Sequence, residues 1–158
     1  MPKETLYLET TVVSYFSAWP SRDVIVLAHQ QITREWWGTQ LSRYEVFVSE
    51  LVLQEASQGD PEAAKKRLEQ IKPFEVLAVS SEAERLADLY LRKIPILKNA
   101  IRDALHLAIA SAGGMDYLAT WNCVHIARGE VRKALERVND DESIGTPTIC
   151  TPEELLGE

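Results

Sequence analysis

The sequence predicts an α/β protein in three layers, with helices on both faces of a parallel central sheet of about four to five strands. Short apolar segments alternate with longer amphipathic ones along the 158 residues. This alternation is typical of parallel sheets that are covered by helices. The length suits one domain, which we expect to span residues 1–158.

Five short, well-separated segments are predicted to form the strands. They are Thr5–Leu8, Val46–Val48, Glu75–Val79, Tyr117–Thr120 and Pro147–Cys150. Ligands of such folds bind beyond the carboxyl ends of the strands, near the point where the strand order reverses. Residues that follow a predicted strand are therefore the first candidates for a functional site.

Helical patterns fill most of the remaining sequence, and several of them carry capping signals. Ser49 and Asp60 are suitable N-caps, Pro61 suits a first helical position, and Gly113-Gly114 suits a helix end. The predicted helices are Val24–Gln40, Glu50–Ser57, Pro61–Ile71, Ser81–Lys93, Asn99–Ala112, Arg128–Arg137 and a short last helix opened by the capping box that starts at Thr151.

Composition excludes several classes of protein. The net charge of -7 argues against a general nucleic-acid coat, but an acidic metal site of a nuclease is compatible with it. The two cysteines have no CxxC spacing, which argues against a disulfide scaffold and a zinc site. No apolar run approaches the roughly 20 residues that cross a bilayer. The first residues, MPKETLYLE, lack the apolar segment of a signal peptide, so we expect a cytoplasmic protein.

Acidic and amide side chains lie at the ends of two predicted strands. Glu9 follows the first strand and Asn122 falls just past the fourth. Asp116 lies at the opposite edge of the sheet, where a solvated turn residue is the simplest interpretation. For Glu9, a solvated strand end and a metal ligand are both open interpretations.

The segment SELVLQEASQGD contains a glutamate on an apolar helix face. Glu55 follows Leu51 by four residues and Val52 by three, so it shares a face with side chains that should point into the core. Glu50 lies in the first turn, where an acid interacts favourably with the helix dipole. We interpret Glu50 as structural and Glu55 as functional, although a glutamate at an amphipathic boundary has the same pattern.

The segment NAIRDALHLAIASAGG predicts an amphipathic helix with an unusual polar stripe. Asn99, Asp103 and His106 follow one another at i, i+4 and i+7, opposite a wide apolar face. The residues assigned to that apolar face are Ile101, Leu105, Ala108, Ile109 and Ala112. A partly exposed stripe with a hydrogen-bonded aspartate is one interpretation, and a functional acid at Asp103 is the other.

Glu9, Glu55 and Asp103 together suggest carboxylates that converge at one edge of the sheet. Carboxylates at such a short separation repel one another unless a cation lies between them. Mg²⁺ and Mn²⁺ prefer oxygen ligands, and such ions promote phosphodiester hydrolysis.

These segments resemble the PIN-domain ribonucleases, and in particular the toxin-like (VapC-type) PIN proteins of toxin–antitoxin modules. LYLETTVVSYF is similar to the first strand and acid of the family, SELVLQEA to the helix with the second acid, and IRDALHLAIA to the third acid motif. DYLATWN resembles the fourth-strand motif and TPTICTPEELL the last strand and helix. The resemblance implies a PIN-like fold over nearly the whole chain.

The resemblance also implies an activity and a site. The activity is that of an endoribonuclease dependent on Mg²⁺ or Mn²⁺, in which Glu9, Glu55, Asp103 and Asn122 hold the metal directly or through water. Thr10, Thr11 and Thr120 would support these ligands through their hydroxyl groups. The chain departs from the family pattern at two positions, because Glu9 stands where Asp is usual and Asn122 carries no charge.

An RNA substrate requires cationic contacts, for which the candidates are Lys98, Arg102, His106 and Arg128. For His106, a hydrogen bond with Asp103 is the favoured interpretation. The resemblance further implies an antitoxin protein as a partner and a homodimer.

Three other functions compete with this one. The departures at Glu9 and Asn122 are compatible with a PIN-like module that binds RNA or protein without catalysis. A receiver-like signalling domain requires an adjacent acid pair after the first strand, where the chain offers only Glu9. A nucleotide-binding fold is disfavoured because neither GxGxxG nor GxxxxGK[ST] occurs in the sequence.

Overall fold

The computed structural model describes residues 2–157, so the expected domain of residues 1–158 is described except for its first and last residue. Five parallel strands form one sheet in the order β3-β2-β1-β4-β5. The strands are β1 Thr5–Leu8, β2 Glu45–Ser49, β3 Glu75–Leu77, β4 Tyr117–Ala119 and β5 Thr148–Cys150. The predicted three-layer α/β/α architecture with four to five parallel strands is confirmed.

Eight helices connect and cover the strands in the described part of the chain. They are α1 Thr10–Ser17, α2 Val24–Gln40, α3 Glu50–Ala56, α4 Pro61–Ile71, α5 Ser81–Lys93, α6 Ile101–Ala112, α7 Gly129–Asp141 and α8 Pro152–Leu155. Side-chain N-caps open several of them where the sequence indicated them, including Ser49 on α3, Asp60 on α4 and Thr151 on α8. Two single-turn 3₁₀ segments, Leu41–Arg43 and Pro95–Leu97, complete the chain.

Helix α1 is absent from the sequence prediction. Its first four residues, Thr10 to Val13, are all β-branched and favour a strand by intrinsic propensity. Val12 and Val13 are fully buried in the core, and packing therefore decides the conformation over local preference. The helix follows β1 directly, with Glu9 as its N-cap residue.

Helix α6 differs from its prediction in two respects. It begins at Ile101 rather than Asn99, because Asn99 has a left-handed φ of 71° and Ala100 is the N-cap. The predicted apolar face is also wrong in part, since Ile101 is 65 % exposed whereas His106 on the predicted polar side is 1 % exposed. The helix packs along α5 and also faces the sheet, so most of its circumference is buried.

The strand order places β1 at the centre of the sheet, with β2 on one side and β4 on the other. The order of connection reverses between β1 and β4, and a crevice forms there at the carboxyl ends of the strands. Leu8 pairs with Ala119 in register, and Glu9, the first residue after β1, donates its amide to the Ala119 carbonyl at 3.1 Å. Within residues 2–157, no helix has both the length and the apolar character needed to cross a membrane.

Candidate metal centre

Glu9 lies at the carboxyl end of β1, and its side chain is held by hydroxyl groups. The residue is only 3 % exposed. Its Oε1 accepts hydrogen bonds from the Thr120 hydroxyl, at 2.6 Å, and from the Thr11 hydroxyl. Its Oε2 accepts no hydrogen bond from residues 2–157. One carboxylate oxygen is therefore fixed by the protein and the other is left to a ligand.

Glu55 approaches the same crevice from α3. Ser49 caps this helix by accepting the Val52 amide at 3.1 Å, which sets the direction in which the helix leaves the sheet. Glu55 Oε1 accepts a hydrogen bond from the Thr10 hydroxyl at 2.6 Å and lies 2.7 Å from His106 Nε2. As at Glu9, the second oxygen has no hydrogen-bond partner among the described residues.

The environment keeps Glu55 ionised. Burial alone raises the pKa of this carboxyl group, but the hydrogen bonds from His106 and from the Thr10 hydroxyl and the charge of Arg102 outweigh it. The pKa of Glu55 therefore falls below its ordinary value. An ionised carboxylate only accepts hydrogen bonds, which leaves its free oxygen available to a cation.

The two carboxylates and an imidazole form a cluster with the donors of a cation site. Possible ligand atoms of Glu9, Glu55 and His106 all lie within 4.8 Å of one another, and His106 Nε2 is 3.9 Å from Glu9 Oε2. Two carboxylates at this separation repel each other, and each has one oxygen free of hydrogen bonds. The two carboxylates fit a hard divalent cation, which takes oxygen ligands and retains several waters.

Asp103 and Asn122 bind each other beside this cluster. Asn122 Nδ2 donates to Asp103 Oδ1 at 2.9 Å, and the Asn122 amide donates to the Thr120 hydroxyl at 2.9 Å. His125 Nδ1 lies 2.8 Å from the other Asp103 oxygen, and the His125 amide donates to Asn122 Oδ1 at 3.0 Å. Asp103 thus has both oxygens engaged and is not a member of the 4.8 Å cluster.

His106 does not occupy the place that the sequence suggested. The expected hydrogen bond between His106 and Asp103 is wrong, because the His106 nitrogens contact the Tyr7 hydroxyl and Glu55. The residue is 1 % exposed, so it does not lie on the surface where an RNA phosphate would bind. The interpretation of His106 as a phosphate contact is therefore not supported by its position.

Two residues near the site were missed by sequence reasoning. Tyr7 reads as part of an apolar strand, but it lies two residues before Glu9 in extended backbone, and its side chain therefore points to the same side of the sheet. His125 lies in the loop after β4, where no periodicity exists to predict its direction. Its only sequence signal is its position three residues after Asn122.

The other cationic candidates lie at the protein surface. Lys98, Arg102 and Arg128 are exposed. Arg102 acts on the site directly, since its charge contributes to lowering the Glu55 pKa. Arg128 pairs with Glu130 at 3.2 Å, whereas Lys98 and Arg102 form no ion pair within residues 2–157. Lys98 and Arg102 are thus the more available contacts for a phosphate.

Two acids that the sequence interpretation set aside do have structural roles. Glu50 Oε1 accepts the Val79 amide at 2.8 Å and so connects α3 to the segment after β3. Asp116 Oδ2 accepts the amide and hydroxyl of Thr5, at 2.8 and 3.1 Å, and joins the starts of β1 and β4. Both lie outside the cluster of possible metal ligands.

Comparison with known proteins gives a likeness of structure only. No family model matches the chain, and no curated protein matches it. Among solved structures, the chain is similar to one in the crystal structure of VapBC2 from Rickettsia felis bound to a DNA fragment from their promoter. The match has a TM-score of 0.55 and 13 % identity, and it covers 93 % of this chain and 98 % of that one. This likeness shows the fold, and it confirms that the chain has the PIN-like α/β/α fold that its sequence predicts.

Proposed function

We propose that the protein is an endoribonuclease that depends on Mg²⁺ or Mn²⁺, and that it is the toxin of a type II toxin–antitoxin pair. One observation carries the proposal. Glu9 and Glu55 meet in the crevice at the carboxyl ends of β1 and β4, each with one oxygen fixed by threonine hydroxyls and one oxygen free. A pair of oriented but unsatisfied carboxylates is what binding of a hard cation requires.

The free Oε2 atoms of Glu9 and Glu55 are the proposed direct ligands. When bound, a divalent ion supplies activation of water and neutralisation of phosphate charge in phosphodiester hydrolysis. The hydroxyls of Thr10, Thr11 and Thr120 hold the two carboxylates so that little reorganisation is needed on binding.

Asp103 and Asn122 complete the site from its outer side. Both of their functional groups are engaged with each other and with His125, so we assign them contacts through water rather than direct ligation. Asn122 carries no charge, and its link to Thr120 connects this outer group to the Glu9 carboxylate.

The substrate proposal follows from the charges around the crevice. Lys98 and Arg102 come shortly before Asp103 in the sequence, are exposed, and form no ion pair within residues 2–157. Arg128 follows the loop after β4. Such cations bind the phosphate backbone and orient it without reading sequence. The acidic net charge of -7 makes this local group the main attraction for RNA.

The proposed partners are an antitoxin protein and a second copy of the chain. The similar chain belongs to VapBC2, which was crystallised on a fragment of promoter DNA. Exposed apolar side chains in the turn after α1 and at the start of α2 offer contacts for a protein partner, with Trp19 80 %, Val24 80 % and Ile25 68 % exposed. Light scattering of the purified protein, alone and after co-expression with the product of the adjacent reading frame, tests both partners.

Cleavage of structured RNA in the presence of Mn²⁺ or Mg²⁺ tests the activity. We expect Glu55→Gln and Glu9→Gln to abolish cleavage, and Asp103→Asn to reduce it. Glu50→Gln is a matched control on the same helix, because Glu50 binds only the Val79 amide, and it should cleave as the wild type does. Cleavage that persists in Glu55→Gln and Glu9→Gln would show that the site is assigned wrongly.

A PIN-like binding module without catalysis is the second candidate. It is favoured by the hydrogen bonds among Asp103, Asn122 and His125, which engage their polar groups with one another. Only the two carboxylates of Glu9 and Glu55 then remain for a cation. Isothermal titration separates the two candidates. A wild-type protein that binds neither Mn²⁺ nor Mg²⁺ and cleaves no RNA would be the binding module.

A further inference from the structure

A chain of buried hydrogen bonds leads from the core of the sheet to Glu55. The Tyr7 hydroxyl lies 2.8 Å from Ser49 Oγ and 2.7 Å from His106 Nδ1. His106 Nε2 lies 2.7 Å from Glu55 Oε1. Ser49 and Tyr7 are fully buried and His106 is 1 % exposed, so bulk water satisfies none of these groups.

The four members come from four different elements of the fold. Tyr7 projects from β1, Ser49 ends β2, His106 lies on α6 and Glu55 lies on α3. A buried polar network of this kind stabilises one arrangement strongly, because each broken contact leaves an unsatisfied group in a medium of low dielectric constant. The position of Glu55 is therefore coupled to the packing of two strands and two helices.

The available donors and acceptors determine the direction of the hydrogen bonds from Ser49 to Glu55. The Glu55 carboxylate only accepts, so the hydrogen bond at 2.7 Å requires a proton on His106 Nε2. The Tyr7 hydroxyl carries its proton at neutral pH and is able to donate. One arrangement satisfies every group: the Ser49 hydroxyl donates to Tyr7, the Tyr7 hydroxyl donates to His106 Nδ1, and His106 Nε2–H donates to Glu55.

We infer that Ser49, Tyr7 and His106 form a positioning relay, which holds Glu55 by Oε1 and directs its Oε2 towards the divalent cation. Tyr7 and His106 are then positioning residues, and His106 is not a ligand although it lies in the cluster. The inference rests on the proposed function, because the cation is the partner of the positioned oxygen.

An alternative role for His106 makes the opposite prediction. As a direct ligand through Nε2, its nitrogen would have to be free of a proton, and the hydrogen bond to Glu55 would be lost. Both roles place His106 beside the cation, so distance alone does not separate them. The position of the imidazole proton does.

The first arm of the test is the proton on His106, measured by long-range ¹⁵N–¹H NMR of the whole protein without metal and with Mg²⁺. The chain has three histidines, and the variants His29→Gln and His125→Gln assign the signals. We expect Nε2 of His106 to carry a proton in both states. A proton on Nδ1 alone, in either state, would overturn the inference.

The second arm compares two substitutions that each remove one buried tyrosine hydroxyl. Tyr7→Phe breaks the relay, whereas Tyr90→Phe breaks a contact with Asn139 outside the site. Both tyrosines are fully buried, so both variants should lose some thermal stability. We expect Tyr7→Phe to weaken Mn²⁺ binding about tenfold, as loss of an outer contact to a metal ligand commonly does, and Tyr90→Phe to leave it unchanged.

The two arms separate failure of the relay from failure of the proposed function. Equal Mn²⁺ affinity in Tyr7→Phe and wild type would overturn the relay while leaving the metal site intact. Absence of Mn²⁺ binding by the wild type would overturn the proposed function, and the inference with it. Nε2 protonation together with selective loss of affinity in Tyr7→Phe would support both.

Discussion

His125 Nδ1 lies 2.8 Å from Asp103 Oδ2, in a loop that the sequence left without a role. The other Asp103 oxygen receives the Asn122 side chain at 2.9 Å, and Asn122 in turn accepts the His125 amide. The three side chains form a closed group beside the Glu9 carboxylate. The aspartate thus fixes the orientation of two neighbours, and its effect on activity should be transmitted through them.

This geometry predicts that Asp103 and His125 act as one unit. An asparagine at position 103 keeps the shape but presents an NH₂ group to one of two donors. We therefore expect Asp103→Asn and His125→Gln each to slow RNA cleavage, and the double variant to be little slower than the worse single one. The coupling free energy should be about 1–3 kcal/mol. Cleavage rates of the four proteins, measured with saturating Mn²⁺, provide the cycle.

Asp116→Asn is the matched control for that cycle. Asp116 also receives two hydrogen bonds, from the amide and hydroxyl of Thr5, but at the opposite edge of the sheet. Its substitution should leave the cleavage rate unchanged in the wild-type and His125→Gln backgrounds. If the losses of cleavage activity in Asp103→Asn and His125→Gln were strictly additive in the double variant, the two residues would not act as one unit.

The positions of Glu9 and Glu55 were accessible from sequence because periodicity determines them. Glu9 directly follows a strand, and parallel strands end at one edge of the sheet. Glu55 shares a helix face with Leu51 and Val52, which are both buried. In each case a regular element fixes the direction of the side chain, and the structure brings the two carboxylates together.

Other parts of the site depend on tertiary packing that no local pattern contains. His106 lies on the side of α6 that looked polar, yet it is buried because the helix contacts both α5 and the sheet. His125 is directed by a loop, whose conformation follows from the hydrogen bonds of Asn122. Helix α1 was missed because its β-branched start obeys packing rather than propensity.

Thr120 is predicted to tune the affinity of the cation through Glu9. Its hydroxyl donates to Glu9 Oε1 at 2.6 Å and accepts the Asn122 amide at 2.9 Å. Thr120→Val keeps the volume and removes both contacts, so Mn²⁺ affinity should fall about tenfold. Titration calorimetry measures this directly, and thermal unfolding should show a loss of about 1–2 kcal/mol for the buried hydroxyl.

Thr33→Val controls for the general cost of a buried threonine. The Thr33 hydroxyl also has two partners, the His29 carbonyl and the Trp121 indole, and the residue is fully buried. The stability of this variant should fall by a similar amount without any change in Mn²⁺ affinity. A Thr120→Val protein with unaltered affinity would show that Glu9 does not depend on this hydroxyl.

The two cysteines are predicted to differ in reactivity. Cys123 is exposed, whereas Cys150 is 9 % exposed and its burial raises the pKa of its thiol. A raised pKa leaves less thiolate at pH 8, and the thiolate is the nucleophile. We expect iodoacetamide to modify Cys123 first and Cys150 at least about tenfold more slowly. Peptide mass spectrometry over time resolves the two sites, and equal rates would contradict the buried position of Cys150.

The relative stability of the wild type and Glu9→Gln is predicted to depend on metal. The variant should be the more stable protein without metal, and the wild type should be the more stable one with it. Without metal, the wild type holds two carboxylates close together, one of them 97 % buried, and a neutral glutamine relieves the repulsion. In EDTA the variant should therefore be more stable than wild type by about 1 kcal/mol, or about 2–4 °C in Tm.

Saturating Mn²⁺ should give the opposite result. An ion at 100 times its Kd stabilises the wild type by about 2.7 kcal/mol, whereas the variant has lost a charged ligand and gains little. Differential scanning calorimetry of both proteins in EDTA and in Mn²⁺ gives the four Tm values. Glu50→Gln, with its acid outside the cluster, should follow the wild type in both conditions. A Glu9→Gln protein that is less stable than wild type in EDTA would show that the two carboxylates are not in conflict, and that the site does not depend on a cation to stabilise them.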